Sequence, residues 1–235
     1  MQFRSSNAVR GCGIALWLLS LASPAWVRAH DLATIALLSP RSGCALGSAE
    51  TVVIRNVNYG TAMPPGSFFD MSFTINNGTP LVQPVFMGNG IPPNGTTTFT
   101  FPPTATADLS APGDYLIDAS MTVPGDTNNA NNALGAQLVR NWAPSVGGSA
   151  SAPVAPASAG TIGLSGQTGT VVEWQQSLDG LRWRALENTG STQSFANLAA
   201  TTYFRALVQN GLCPPALSDV AVVSPINIFA NGFEP

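Results

Sequence analysis

The sequence predicts an all-β protein built from two consecutive immunoglobulin-like β-sandwich domains. Three observations predict it. Short β-branched and aromatic runs recur along the chain, turn-forming clusters separate them, and no stretch beyond the N-terminal segment sustains the 3.6-residue period of a long amphipathic helix. Only 9% of residues are charged, while 23 glycines and 19 prolines punctuate the chain, a balance that suits turn-rich exported β proteins.

The first element, residues 1–29, reads as a secretory signal. Arg4 and Arg10 supply a positive start, Gly13 to Leu21 an apolar core, and Val27-Arg28-Ala29 a small-residue cleavage site. The apolar core is shorter than the roughly 20 residues a membrane span requires, and Cys12 precedes it, which is not where a lipoprotein cysteine stands. The mature chain is therefore expected to start at His30, to lack a membrane span, and to be secreted, surface-held or periplasmic. Removing the segment takes Arg4, Arg10 and Arg28 with it. Six arginines then face twelve acidic residues with no lysine, a net charge of −6. Arginines scattered along an acidic chain exclude the basic footprint of a nucleic-acid binder and disfavour an anionic membrane surface.

The first sandwich is expected within 30–140, with strands near Leu32–Leu38, Thr51–Asn58, Ser67–Ile75, Leu81–Phe86, Thr96–Phe101, Gly113–Thr122 and Ala133–Val139. Alternation carries the reading: Phe69, Met71, Phe73 and Ile75 oppose Asp70, Ser72 and Thr74. In the same way Tyr115, Ile117, Ala119 and Met121 oppose Leu116, Asp118 and Ser120. Asn76-Asn77-Gly78 signals a hairpin, and Pro92-Pro93-Asn94-Gly95 and Ala111-Pro112-Gly113-Asp114 further turns. Composition shifts to Pro, Gly, Ser and Ala over 141–158, which reads as linker and start of the second domain. The second sandwich, 159–225, is expected to hold strands at Thr161–Ser165, Thr170–Ser177, Arg182–Leu186, Thr192–Phe195, Thr202–Gln209 and Ala216–Val223. Trp174 and Tyr203 stand where such sandwiches carry a core tryptophan and a corner tyrosine. Residues 226–235 form a C-terminal tail.

Two resemblances add to this. Asp31-Leu32, Leu38 through Gly47, Glu50 through Asn56, Ala107 through Tyr115 and Gly125 through Asn132 run in the order found in CARDB-like modules of bacterial surface and secreted proteins, which the first domain resembles. Gly160 through Gly166, Val172 through Ser177, Asp179-Gly180 with Trp183, and Thr202 through Cys213 resemble the immunoglobulin-like repeats of large bacterial adhesin-type proteins. Those repeats often pair the cysteine at position 213 with an upstream one. Val146 to Ala152 contains none, so Cys213 either is free or reaches Cys44. A bridge between Cys44 and Cys213 and two buried free thiols both remain open. The tail Ile228-Phe229-Ala230-Asn231-Gly232-Phe233-Glu234 resembles an ending of secreted proteins from Xanthomonas- and Lysobacter-like bacteria.

The sequence offers no catalytic or cofactor residues. His30 is the only histidine. At a mature N-terminus its amine and imidazole could chelate copper, but a copper oxygenase site needs a second histidine. Ser-His-Asp, Cys-His and zinc arrangements fail for the same shortage. Asp70, Asp108, Asp114, Asp118 and Asp126 are the carboxylates a glycosidase could draw on, yet their spacing singles out no acid and nucleophile. The one metal candidate is Ca²⁺ on Asp126, Asn128, Asn131 and Asn132, an oxygen-rich loop; turn chemistry accounts for the same residues. Trp174 is expected in the core, Trp183 across the sandwich or half exposed, and Trp142 at the domain seam.

The expected function is a non-catalytic exported binding or surface-architecture protein, adhesive in character, contacting a protein or glycan at the cell surface. The alternatives are an envelope carbohydrate-binding protein and an enzyme with an unrecognised carboxylate site.

Overall fold

Strand alternation converts directly into layers in the computed structural model, which describes residues 30–225. The segments read as a secretory signal and as a C-terminal tail, 1–29 and 226–235, lie outside the described residues. The first sandwich comprises β1 (Leu32–Ser39), β2 (Gly43–Cys44), β3 (Val53–Asn58), β4 (Ser67–Ile75), β5 (Leu81–Met87), β6 (Thr96–Thr100), β7 (Gly113–Thr122) and β8 (Gln137–Trp142). One sheet runs β1-β3-β6 and the facing sheet β2-β8-β7-β4-β5. The second comprises β9 (Ser149–Ser151), β10 (Gly160–Ser165), β11 (Thr170–Ser177), β12 (Arg184–Leu186), β13 (Thr192–Phe195), β14 (Thr202–Gln209), β15 (Ala216–Leu217) and β16 (Ala221–Val223). Its sheets are β13-β10-β9 and β12-β11-β14-β15, with β16 also on β14.

Alternation decides which side chains meet. Phe69, Met71 and Phe73 of β4 and Ile117, Ala119 and Met121 of β7 are buried between the sheets. Phe73 and Phe99 both set their rings edge-on against Phe101, at 4.8 and 4.9 Å between centroids, the geometry that aromatic quadrupoles prefer. In the second sandwich Trp174, Phe204, Ala206 and Val208 do the same work, and the Trp174 indole donates to the Gly190 carbonyl at 2.9 Å. The two cores share no residue. The first cluster counts eighteen buried apolar residues and the second ten, so the second sandwich has the smaller reserve of burial energy.

Turn chemistry fixes register. Asn76 and Asn77 both take positive φ, 51° and 57°, and Gly78 N donates to Ile75 O at 2.9 Å, the mirror-image turn that matches strand twist. Pro93-Asn94 forms a turn in which Asn94 has φ 58° and Gly95 N donates to Pro92 O.

Several expectations need correction. The strand expected over Ala133–Val139 starts only at Gln137: Ala133 makes an isolated bridge to Ser120, and Gly135 turns the chain at φ 76°. The strand expected over Ala216–Val223 is split, because the Ser218 hydroxyl accepts from Ala206 N at 2.8 Å where a ladder carbonyl would stand. That over Arg182–Leu186 starts at Arg184, since the backbone N–H of Arg182 is spent on Asp179. A corner-type hydrogen bond is made not by Tyr203 but by Tyr115, whose hydroxyl donates to Ala111 O at 2.6 Å. The two-residue β2 and three-residue β9 were not expected.

Candidate functional site

The seam is built first. β2 lies parallel to the end of β8, pairing Cys44 with Trp142, and this points Cys44 out of the first sandwich. Cys44 and Cys213 are joined, with sulfurs 2.07 Å and Cα atoms 4.8 Å apart, across 169 residues. Around the bridge, Asn210 Nδ2 donates to Ala143 O at 2.8 Å and Asn210 N to Ser145 Oγ at 2.9 Å. Trp142 lies so close to Gly211 that a Cβ there would sit 2.1 Å from the indole nitrogen. Only residues 143–145 separate β8 from the Val146–Thr168 bridge of the second sandwich. Arg140, paired at both nitrogens with Asp114 at 2.5 and 2.7 Å, stands over the Trp142 ring. The Arg140 hydrogen bond holds the Asp114 carboxyl below its usual range.

The loop proposed for calcium is hydrogen-bonded to the chain's own start through Asp126, Asn131 and Asn132. Asp126 Oδ2 accepts from Leu32 N at 3.1 Å and Oδ1 from Asn128 N at 2.8 Å. Asn131 Nδ2 donates to Asp31 Oδ1 at 2.8 Å, and the Asn132 carbonyl accepts from Thr34 Oγ1. These are hydrogen bonds that pin β1 to a single 3₁₀ turn, Asn129–Asn131. His30 joins them through Pro124 O at 2.8 Å. No group of three or more His, Cys, Asp or Glu side chains placed to hold a metal ion occurs among the described residues.

The other carboxylates are dispersed. Asp70 faces Thr122, and Asp118 faces Thr74 four residues further along β4, which is about 13 Å of strand at 3.3 Å per residue. That exceeds the spacing of a retaining or inverting glycosidase pair. Asp118 Oδ1 is buried without a partner among the described residues. Asp108 accepts from the Ser110 hydroxyl and amide, which hold its carboxyl below the usual range.

Two surfaces went unread in the sequence. On the outer face of β4 and β5, Phe68 and Phe86 lie opposite one another with rings 4.8 Å apart. Both are more than 60% exposed, and Val82 on the same face is 57% exposed. On the second sandwich, the turn from β11 to β12 borders an open cleft of about 310 Å³ lined by Gln176, Ser177, Leu178, Asp179, Arg182 and Arg184. Asp179 Oδ1 accepts from Arg182 N at 2.7 Å, Leu181 N at 2.8 Å and the Ser177 hydroxyl at 3.0 Å. Those donors, the Arg182 amide foremost, hold the Asp179 carboxyl below its ordinary range. Trp183 points the opposite way, half-buried on the outer sheet face. The Arg205 guanidinium lies 3.9 Å from its ring centroid and donates to Gln175 Oε1 at 2.7 Å. The arginines expected to be scattered divide three to each module, and of these Arg182 and Arg184 share one cleft. The signal available was their alternation about Trp183, which puts both on one side of an extended segment.

Fold and site together define an all-β chain of two linked immunoglobulin-like sandwiches. Residues 146–225, the second sandwich, match a family model described as a domain of unknown function (DUF8696). No curated protein matches the chain. Among solved structures the chain is similar to the CARDB domain of a Pyrococcus furiosus protein: 19% identity, TM-score 0.36, covering 48% of this chain and 96% of that one. It is also similar to a tetra-tandem repeat from the extending region of a large adhesion protein, at 12% identity and TM-score 0.36, covering 84% of this chain and 50% of that one. Titin domains A168–A170 give 13% identity and TM-score 0.39, over 83% and 66% of the two chains. At such identities and scores no ligand or activity passes from these proteins to this one.

Proposed function

We propose that this protein is an exported, non-catalytic binding module that holds two immunoglobulin-like sandwiches in a fixed relation and contacts a partner at the cell surface. The observation that carries the reading is the Cys44–Cys213 bridge between the two sandwiches. Disulfides of this kind persist in oxidising compartments, and a cross-link between modules serves presentation of a surface rather than the assembly of a catalytic cleft. The exposed Phe68–Phe86 pair is the apolar surface such a protein would present, since exposed aromatic patches mark interaction sites.

The test is retention of fluorescently labelled full exported chain on washed cell envelopes of the producing organism. Saturable retention that falls on Phe68→Ser/Phe86→Ser substitution is the expected result. Retention no greater than that of an unrelated acidic sandwich protein would overturn the reading.

A further inference from the structure

We propose that the cleft at the β11–β12 turn binds a hexuronate unit of an acidic polysaccharide, with Arg182 and Arg184 on the carboxylate and Gln176 and Asp179 on ring hydroxyls. The inference rests on the reading of the chain as an exported binding module and names the ligand of one of its surfaces.

Three polar side chains at the cleft are left unpaired. The guanidinium groups of Arg182 and Arg184 and the side-chain amide of Gln176 make no hydrogen bond among the described residues, and these three residues line the same cleft. A planar guanidinium presents paired N–H donors that match a carboxylate two-to-two. Asp179 offsets one of the two positive charges, so the cleft carries a net single positive charge. That suits one carboxylate better than a doubly charged phosphate.

Asp179 also separates a sugar from an acidic peptide. Its Oδ1 is held by three donors of the turn itself, which fixes the carboxylate in place, while Oδ2 has no partner among the described residues. A fixed, unpaired acceptor beside a free amide is what vicinal hydroxyls require. A glutamate or aspartate side chain has no hydroxyl to donate and would set a second carboxylate against the first. The volume, about 310 Å³, admits a sugar ring rather than a folded segment.

Position leaves room for a polymer. β11 and β14 run antiparallel, with Thr170 opposite Gln209 and Ser177 opposite Tyr203. Gln209 leads into the Asn210–Cys213 turn at the seam, so the cleft beyond Ser177 lies at the far end of both strands from the first sandwich. A polysaccharide can pass it without meeting the other module.

The experiment is calorimetric titration of the full exported chain with oligomers of galacturonate, glucuronate and mannuronate at low salt. The methyl ester of the best binder, poly-L-glutamate and inorganic phosphate serve as comparison ligands. Expected is saturable binding of at least one uronate oligomer, weakened about tenfold or more (~1.4 kcal/mol) by esterification, by R182Q/R184Q and by Gln176→Ala. Arg182 and Arg184 are exposed, so these variants should melt like the parent, and Arg55→Gln on the first sandwich should bind like it. The proposal is overturned by equal binding of the ester, of poly-glutamate or of phosphate, by unchanged affinity in R182Q/R184Q, or by no uronate binding at all. If envelopes still retain the protein while every uronate fails, this inference falls and the binding-module reading stands; loss of envelope retention in the parent chain overturns that reading instead.

Discussion

Opening the Cys44–Cys213 bridge should destabilise both sandwiches, because each is held at two points by the other. If the first unfolds while the second stays folded, its chain is pinned at Cys44 and at Trp142, a loop of about 100 residues. If the second unfolds alone, the loop from Ala143 to Cys213 is about 70 residues. Chain-entropy accounting assigns about 4.7 and 4.4 kcal/mol to closing such loops in the unfolded state. Those values are ceilings, since residual structure in the denatured chain lowers them. At about 2.1 cal/mol/K of unfolding entropy per residue, a domain of 80–110 residues would lose on the order of 20 °C in Tm.

The second sandwich should show the larger shift, because its core is the smaller one and its unfolding entropy is correspondingly lower. The assay is differential scanning calorimetry of the oxidised chain, the same chain reduced, and Cys44→Ala/Cys213→Ala. The alanine pair controls for thiol chemistry, though burial of Cys213 means it also loses some packing. Oxidised protein should melt at high temperature with closely coupled transitions, and both other forms should melt lower with two resolved transitions. Tm values within about 3 °C in all three samples would refute the reasoning, since that corresponds to well under 1 kcal/mol for a domain of this size.

Other perturbations follow from the same geometry. Gly211→Ala would force a Cβ onto the Trp142 indole at a residue with φ 54°, costing about 2–4 kcal/mol. Guanidinium melts of the otherwise unaltered chain followed by circular dichroism should show it, and an unchanged midpoint would count against the seam contact. Trp174→Phe removes the donor to Gly190 O and leaves a partial void in the smaller core, for about 2–3 kcal/mol by urea denaturation; a loss below about 1 kcal/mol would show that the indole hydrogen bond and its volume contribute little. Asp179 is held below the ordinary carboxylate range by the amides of Arg182 and Leu181. Its contribution to the turn is therefore present above the unfolded value, near 3.9, and is lost as pH falls through the lower folded value. The amide resonances of Leu181 and Arg182 should titrate together with a midpoint below about 3.9, and a midpoint at or above it would contradict the assignment.

Most strands were legible because alternation is a local property. Phe69-Asp70-Met71-Ser72-Phe73 can bury one face only as a strand, and Asn76-Asn77 can adopt two consecutive left-handed residues where few other pairs would. What was not legible was decided at a distance. Gly43–Cys44 becomes a strand only because the end of β8 lies beside it in parallel, and a two-residue pairing leaves no pattern in sequence. The pairing of Cys44 with Cys213 likewise depends on where the second sandwich docks. The Asp126–Asn132 loop shows the converse: its oxygen-rich composition was visible, but that the Asp126 carboxylate would accept from Leu32 N depended on β1 lying alongside. Arg182 and Arg184 were individually plain. That Gln176 would join them, and that Asp179 would be occupied by its own turn, depended on the close of the β11–β12 hairpin.

The seam and the cleft bear on each other through β11 and β14, which carry Thr170 and Gln209 at one end and Ser177 and Tyr203 at the other. This pair is the most extensively paired in the second sandwich and has Trp174, fully buried, at its middle opposite Ala206. A force or rotation applied at the disulfide therefore has a direct route to the cleft along an antiparallel ladder, interrupted once by the register shift between Val171 and Glu173. Such a ladder is stiff along its length, because its backbone is paired across the strands on both sides of that shift and Trp174, Phe204 and Ala206 are buried beneath it. The cross-link then governs where the cleft points relative to the Phe68–Phe86 face and leaves the cleft's own shape alone. Two weak contacts on opposite modules would gain from that arrangement: once one engaged, the second would be presented at a fixed distance and orientation, with an effective concentration set by the seam rather than by a floppy linker. The three residues 143–145 would by themselves permit many relative orientations, which is why the bridge, the Asn210 hydrogen bonds and the Trp142–Gly211 contact converge on that short stretch.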